Sequence, residues 1–252
     1  MKYIASFSGG KDSTASIILA HEHKEPMDLI IFSEVMFDKK ISGELPEYID
    51  FIKNKCIPLF ESWGYEVIIL HAEKTYMDCF FHKTVRGKRI GAYKGFVMSG
   101  HCDVQRDCKL KPIKQFFKHM KDDEYVQYIG IAVDEPKRLE RLRGTNKISL
   151  LEKYGYTEQM AFDLCKKYGL LSPIYDFAPR GGCWFCPNAR DCELRHLRNH
   201  HRDLWDKLLK MEEMPNLIGN IWNTLTKTSI HQKEEQFMWE DNQFTIFDFI
   251  DK

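Results

Sequence analysis

The sequence predicts an α/β fold built on a doubly wound, mainly parallel sheet. Three observations carry that prediction. Short apolar runs alternate with helical patterns through the first half of the chain. A glycine pair, Gly9-Gly10, separates the first apolar run from the first helix. The strand pattern fades after about residue 145, and helical patterns take over.

The elements follow in order. Tyr3–Phe7 reads as a buried strand, and Thr14–Ala20 as the helix after it. Met27–Phe32 reads as the second strand. Glu47–Trp63 reads as a helix with Ile49, Ile52, Cys56 and Phe60 on one stripe, ended by Gly64. Tyr65–Leu70 is the third strand. Thr75–Gly100 has weak periodicity and several glycines, as an irregular insertion near the active face would. Pro112–Met120 reads as a helix and Tyr125–Val133 as the fourth strand. Alternation of this kind implies a Rossmann-like sheet with helices on both faces. Ligands of such sheets gather at the carboxyl ends of the strands, here Ser8, Phe32–Glu34, Leu70-His71 and Val133-Asp134. Further on, Thr157–Tyr168 is a helix capped by Thr157 and ended by Gly169. Cys192–Met211 is a polar, basic helix, and the residues beyond it show no strand series. The chain is thus expected to divide into an α/β domain, residues 1–145, and a helical C-terminal subdomain, residues 146–252.

Composition narrows the class. The 252 residues are 43% hydrophobic and 29% charged, as in soluble globular proteins. Thirty-seven basic residues balance thirty-seven acidic ones, which gives no evidence of a surface that wraps nucleic acid. Local basic grooves remain open, because Arg86–Lys118 and Lys137–Arg143 are rich in Lys and Arg. Such runs are more often solvated faces than ligand contacts. No segment has the length of a membrane-spanning helix, and no secretory apolar region precedes the first strand. A cytoplasmic protein is expected. In a reducing compartment, clustered cysteines point to metal ligation or catalysis rather than disulfides.

Ser8-Gly9-Gly10-Lys11-Asp12-Ser13 has the chemistry of an anion site. The glycines let the backbone turn tightly and approach a phosphate. The first helical N–H groups lack partners within the helix and point at the ligand. Ser8 and Ser13 add hydroxyls, and Lys11 adds positive charge. The spacing is not that of the Walker loop. The other strong signal is Gly181-Gly182-Cys183-Trp184-Phe185-Cys186-Pro187, followed by Cys192. Two-residue spacing lets Cys183 and Cys186 face one metal, and Cys192 lies within reach of a short turn. Cys108 is the choice for a fourth ligand, with Cys102 as the alternative. Four cysteines suit zinc or a [4Fe–4S] cluster equally well. Cys56 and Cys165 fall on apolar helical stripes, where packing is their role. Cys79 also stands alone.

The hexapeptide resembles the PP-loop of the ATP pyrophosphatase, or adenine nucleotide alpha-hydrolase, superfamily. Further segments are similar to its PAPS reductase-like branch. These are Ser42–Glu47, Lys109–Ile113, Gly130–Arg138 and Leu171–Tyr175, in family order along residues 1 to 192. The resemblance implies a nucleotide-binding first domain that holds ATP and Mg²⁺ and yields an adenylated substrate plus pyrophosphate. It implies nucleotide contacts from Ser8, Gly9, Gly10, Lys11, Asp12, Ser13, Asp134 and Glu135. Lys11, Asp12 and Arg138 would carry the catalysis. Lys11 and Arg138 can neutralise phosphate charge, and Asp12 and Asp134 can hold Mg²⁺. Helix capping is an equally good role for Asp134. No cysteine follows Cys192, whereas true PAPS reductases carry a nucleophilic cysteine in a C-terminal tail. The cysteine pattern is more similar to the iron–sulfur sulfurtransferases of the superfamily. That favours a [4Fe–4S] cluster on Cys108, Cys183, Cys186 and Cys192 over zinc. It also favours sulfur transfer to an acceptor, with tRNA and DNA as candidates. A sulfur-donor protein and a homodimer are compatible with this reading. An adenylyl-sulfate reductase and a non-catalytic nucleotide-binding subunit of a DNA-modification or defence system are the alternatives.

Overall fold

A computed structural model describes residues 1–97, 102–118, 120–121, 124–223 and 225–243. The chain forms two compact units, residues 1–76 with 104–183 and residues 77–103 with 184–252. Each unit is thus built from two separated stretches of chain.

The first unit opens with β1 (Lys2–Phe7), α1 (Lys11–Glu22) and β2 (Leu29–Glu34). The helix expected after β2 is one continuous run with a widened middle. It consists of α2 (Pro46–Phe51), a π-helical stretch (Ile52–Cys56) and α3 (Ile57–Ser62). β3 (Glu66–His71) follows. α4 (Tyr76–Phe80) leads into the second unit, where β4 (Tyr93–Gly95) lies. The chain returns through a π-helical stretch (Gln105–Leu110), α5 (Lys111–Phe117) and β5 (Tyr125–Ile129). α6 (Pro136–Leu139), β6 (Lys147–Ile148), α7 (Leu150–Lys153) and α8 (Glu158–Lys167) complete the unit.

The five strands form one parallel sheet in the order β3-β2-β1-β5-β6. Strand order reverses beside β1, so the loop after β1 stands at the topological switch point where ligands of such sheets bind. Both faces are covered. Ile4, Ile31 and Tyr125 pack against Ile113, Phe116 and Phe117 from α5. On the other face Phe7 meets Phe60 of α3 edge to face, with centroids 5.3 Å apart. α1 is buried along Ser13–Ala20, as a helix wedged between a sheet and other helices must be. β5 stops at Ile129, short of the expected Val133, because Gly130 passes against α1. A Cβ there would lie 2.5 Å from main-chain atoms of Asp12 and Ser13.

The second unit is mainly helical. It holds α9 (Asp191–His200), α10 (Arg202–Glu212), β7 (Leu217–Gly219) and α11 (Ile230–Asp241). The single helix expected over Cys192–Met211 is two, broken at His201, whose φ/ψ of −133°/59° is not helical. β4 and β7 pair in parallel, and Phe96, Trp205, Trp222 and Phe237 are fully buried. No helix among the described residues is long and apolar enough to cross a membrane. Residues 244–252 of the expected C-terminal subdomain lie outside the described residues.

Candidate functional site

Gly9 makes the turn that the site depends on. Its φ is +77°, and a Cβ there would stand 2.6 Å from both Tyr48 Oη and Ile52 Cδ1. Glycine alone satisfies both demands. Tyr48 sits so close because its hydroxyl donates to the Ser8 carbonyl at 2.6 Å. Gly10 is the N-cap of α1 and supplies no side-chain cap. Ser13 ties the loop together instead. Its Oγ accepts the Ser8 N–H at 3.1 Å, donates to the Gly10 carbonyl at 3.0 Å, and lies 3.0 Å from Ser8 Oγ. The N–H groups of Asp12 and Ser13 precede the intrahelical ladder, which starts with the Thr14 N–H on the Gly10 carbonyl at 3.0 Å. The first helical N–H, that of Lys11, donates to the Tyr175 hydroxyl at 3.0 Å.

Charge collects at the same place. Lys11 Nζ is 3.0 Å from both carboxylate oxygens of Asp12 and 3.6 Å from Glu158 Oε1. Burial opposes the Lys11 charge, but the hydrogen bond and charge of Asp12, with Glu158 nearby, raise its pKa overall. Lys11 therefore stays cationic. Burial also raises the Asp12 pKa, and the Lys11 contact only partly offsets it. Carboxylate oxygens of Asp12, Glu135 and Glu158 all lie within 4.8 Å of one another. Glu135 Oε2 is buried without a hydrogen-bond partner. Three hard oxygen donors so placed suit a Mg²⁺ ion.

The expected residues thus separate. Ser8, Gly9, Gly10, Lys11, Asp12 and Ser13 form the loop, and Glu135 joins Asp12. Asp134 does not stand in that trio. Its carboxylate accepts the Glu158 N–H at 3.1 Å, the capping role. Arg138 is half exposed and pairs with Glu135. Glu158, Tyr48 and Tyr175 were not singled out from sequence. Glu158 leaves only the signal of an acid in a helix's first turn, and Tyr175 lies in the Leu171–Tyr175 element without chemistry of its own.

Beside the loop, at the carboxyl end of β2, a pocket of about 400 Å³ is walled in part by Glu34, Ser42 and Lys53. Glu34 is buried, which alone would raise its pKa. Hydrogen bonds from Lys53, His71 and Ser42 outweigh that and keep it below the usual carboxylate value. Lys53 Nζ and His71 Nε2 each lie 2.9 Å from Glu34 Oε2.

Of the four cysteines proposed as ligands, Cys108 and Cys183 belong to the first unit and Cys186 and Cys192 to the second. Cys108 is buried, Cys183 and Cys186 are half-buried, and Cys192 is exposed near the start of α9. The Ala189 N–H donates to the Cys186 carbonyl at 2.9 Å, closing a tight turn around Pro187 and Asn188. The donor set is thiol throughout, which suits zinc or iron. Cys102, the alternative ligand, is exposed.

No profile of a known protein family matches the chain. It is 22% identical over 220 residues to an uncharacterized protein of Methanocaldococcus jannaschii, a match covering 80% of this chain and 45% of that protein. The chain thus spans under half the length of that curated relative. It is also similar to a solved structure, the U34-tRNA thiolase NcsA from Methanococcus maripaludis with its [4Fe–4S] cluster. That superposition has a TM-score of 0.40 at 19% identity and covers 96% of this chain and 73% of the other.

Proposed function

We propose that this chain is an ATP-dependent adenylating enzyme that releases pyrophosphate and then transfers sulfur to its acceptor. The observation that carries the reading is the Gly9-Gly10 turn at the sheet's switch point, delivering uncapped helix N–H groups and Lys11 to one spot. A polyphosphate would lie along this loop. A substrate oxygen attacks the α-phosphorus, and the pyrophosphate that leaves takes its charge onto the loop N–H groups and Lys11. Mg²⁺ held by Asp12, Glu135 and Glu158 would neutralise the same oxygens. Arg138 would be drawn from Glu135 toward phosphate when the trio takes up metal. Cys108, Cys183, Cys186 and Cys192 would hold a [4Fe–4S] cluster, whose chemistry is to bind and deliver sulfur. The acceptor we favour is a nucleic acid, tRNA or DNA.

Two measurements test this. Incubation with ATP, Mg²⁺ and candidate tRNA or DNA should give AMP and pyrophosphate, and ADP as the nucleotide product would reject the chemistry. Protein purified without oxygen should carry iron and sulfide, lost in Cys183→Ala, Cys186→Ala and Cys192→Ala. Zinc alone, retained in air, would make the cysteine site structural and remove sulfur transfer from the proposal. Metal content unchanged in Cys108→Ala would move the fourth ligand to Cys102 or to a residue of another type.

A further inference from the structure

We propose that the Tyr175 hydroxyl belongs to the phosphate-binding set, accepting the Lys11 N–H while donating its own proton to an oxygen of the bound polyphosphate. The inference rests on the phosphate-loop reading above and adds a residue 164 positions away from it.

A tyrosine hydroxyl has one proton and two lone pairs. The Lys11 N–H uses one lone pair at 3.0 Å. Among the described residues the hydroxyl proton has no acceptor. The oxygen stands 3.7 Å from the point where a Cβ of Gly10 would be, so it overlooks the loop's second glycine. The ring is fixed there. Phe162 meets it edge to face, with centroids 5.8 Å apart. Its own short 3₁₀ turn, Pro173–Asp176, is capped by Ser172, whose hydroxyl accepts the Ile174 N–H. Burial raises the Tyr175 pKa, and the Lys11 contacts only partly offset this, so the group remains a donor at neutral pH. The loop beneath it carries the Ser8 and Ser13 hydroxyls and the Lys11 ammonium, which the Asp12 carboxylate holds, beside helix N–H groups that no side chain caps. An O–H added to such a set is complementary to the oxygens of an anion.

The test titrates pyrophosphate with Mg²⁺ into the full-length wild type, Tyr175→Phe and Lys11→Ala by calorimetry, with thermal denaturation alongside. Phenylalanine keeps the ring packing and removes only the hydroxyl. The expected result is a 10- to 100-fold rise in Kd for Tyr175→Phe, about what a hydrogen bond to a charged group contributes. Unchanged affinity with a lowered Tm makes Tyr175 merely structural and overturns the proposal. Tighter binding also overturns it, because the hydroxyl would then be competing with the anion. If Lys11→Ala loses binding while Tyr175→Phe does not, the loop reading stands and this proposal alone falls. If the wild type itself binds no pyrophosphate, both fall. Should Tyr175→Phe fail to fold, 3-fluorotyrosine placed at position 175 decides. Its ¹⁹F resonance should move on adding pyrophosphate to otherwise wild-type protein and stay still when Lys11→Ala is also present. An unmoved resonance in the former overturns the proposal.

Discussion

The starts of α1 and α8 lie side by side, linked through Lys11 and Glu158, and they are finished in opposite ways. α8 is closed. Thr157 accepts the Met160 N–H at 3.2 Å, and Asp134 accepts the Glu158 N–H at 3.1 Å. α1 begins at a glycine with no side-chain cap, and the one hydroxyl on its first N–H comes from a distant turn. A glycine N-cap in place of Ser, Thr, Asn or Asp costs about a few tenths of a kcal/mol. The fold carries that cost at the switch point of its sheet, where ligands bind, and avoids it one helix away. The open helix end, not the closed one, is where the proposed phosphate site lies.

The most damaging way to break this contrast is to push the open end out of place. Gly130→Ala sets a Cβ 2.5 Å from main-chain atoms of Asp12 and Ser13, neither of which can rotate aside. A loss of about 3 kcal/mol is expected, at the upper end of ordinary overpacking. Urea denaturation measures it. A stability within experimental error of wild type would mean that β5 does not fix the start of α1.

Next in size is Lys11→Ala. It should weaken ATP binding about 10-fold or more, the effect of losing one charged contact, while Tm changes little. Calorimetry with ATP and Mg²⁺ checks the affinity. Equal affinities in wild type and variant would remove the loop from the nucleotide site.

That the loop was legible in the sequence and its surroundings were not has a physical reason. Gly9 is a local demand, set by its φ of +77°, so it leaves a local signature. The strand alternation that gave the parallel sheet is local too. Tyr48, Glu158 and Tyr175 reach the loop only because the chain returns to it, and the family-like segments beside Tyr48 and around Tyr175 mark a place in the chain but not a contact with the loop. Asp134 and Glu135 show the limit most plainly. They are adjacent in the turn between β5 and α6, yet one caps α8 and the other stands by Asp12. Only the direction of the backbone after Gly130 separates them. The π-helical widenings at Ile52–Cys56 and Gln105–Leu110 likewise leave the 3.6-residue pattern nearly intact. Glu34 read only as a strand end until Lys53 and His71 were seen to hold its carboxylate.

The closed end gives a smaller prediction of opposite type. Thr157→Ala should cost about 1 kcal/mol, as should Asp134→Ala. Both variants should bind ATP as the wild type does. An Asp134→Ala protein that keeps its stability but loses ATP affinity would return Asp134 to the site and blur the contrast.

The smallest effect is in the pH dependence of stability at the open end. Burial raises the Asp12 pKa in the folded protein above its ordinary 3.8. The folded state therefore binds the Asp12 proton more tightly than the unfolded state does. Stability contributed by this group is greatest below the ordinary carboxylate pKa. It falls as pH rises toward the folded value and levels off once both states are ionised. Asp12→Asn abolishes the titration, so the wild-type stability minus that of the variant should decline with rising pH across that window. Common acid effects cancel in the difference. Adding Mg²⁺ should reverse the slope, because a metal on Asp12, Glu135 and Glu158 favours the ionised carboxylate. A difference that is flat without metal would show that burial does not govern Asp12. A slope untouched by Mg²⁺ would show that the three carboxylates, though gathered within 4.8 Å, do not take the ion.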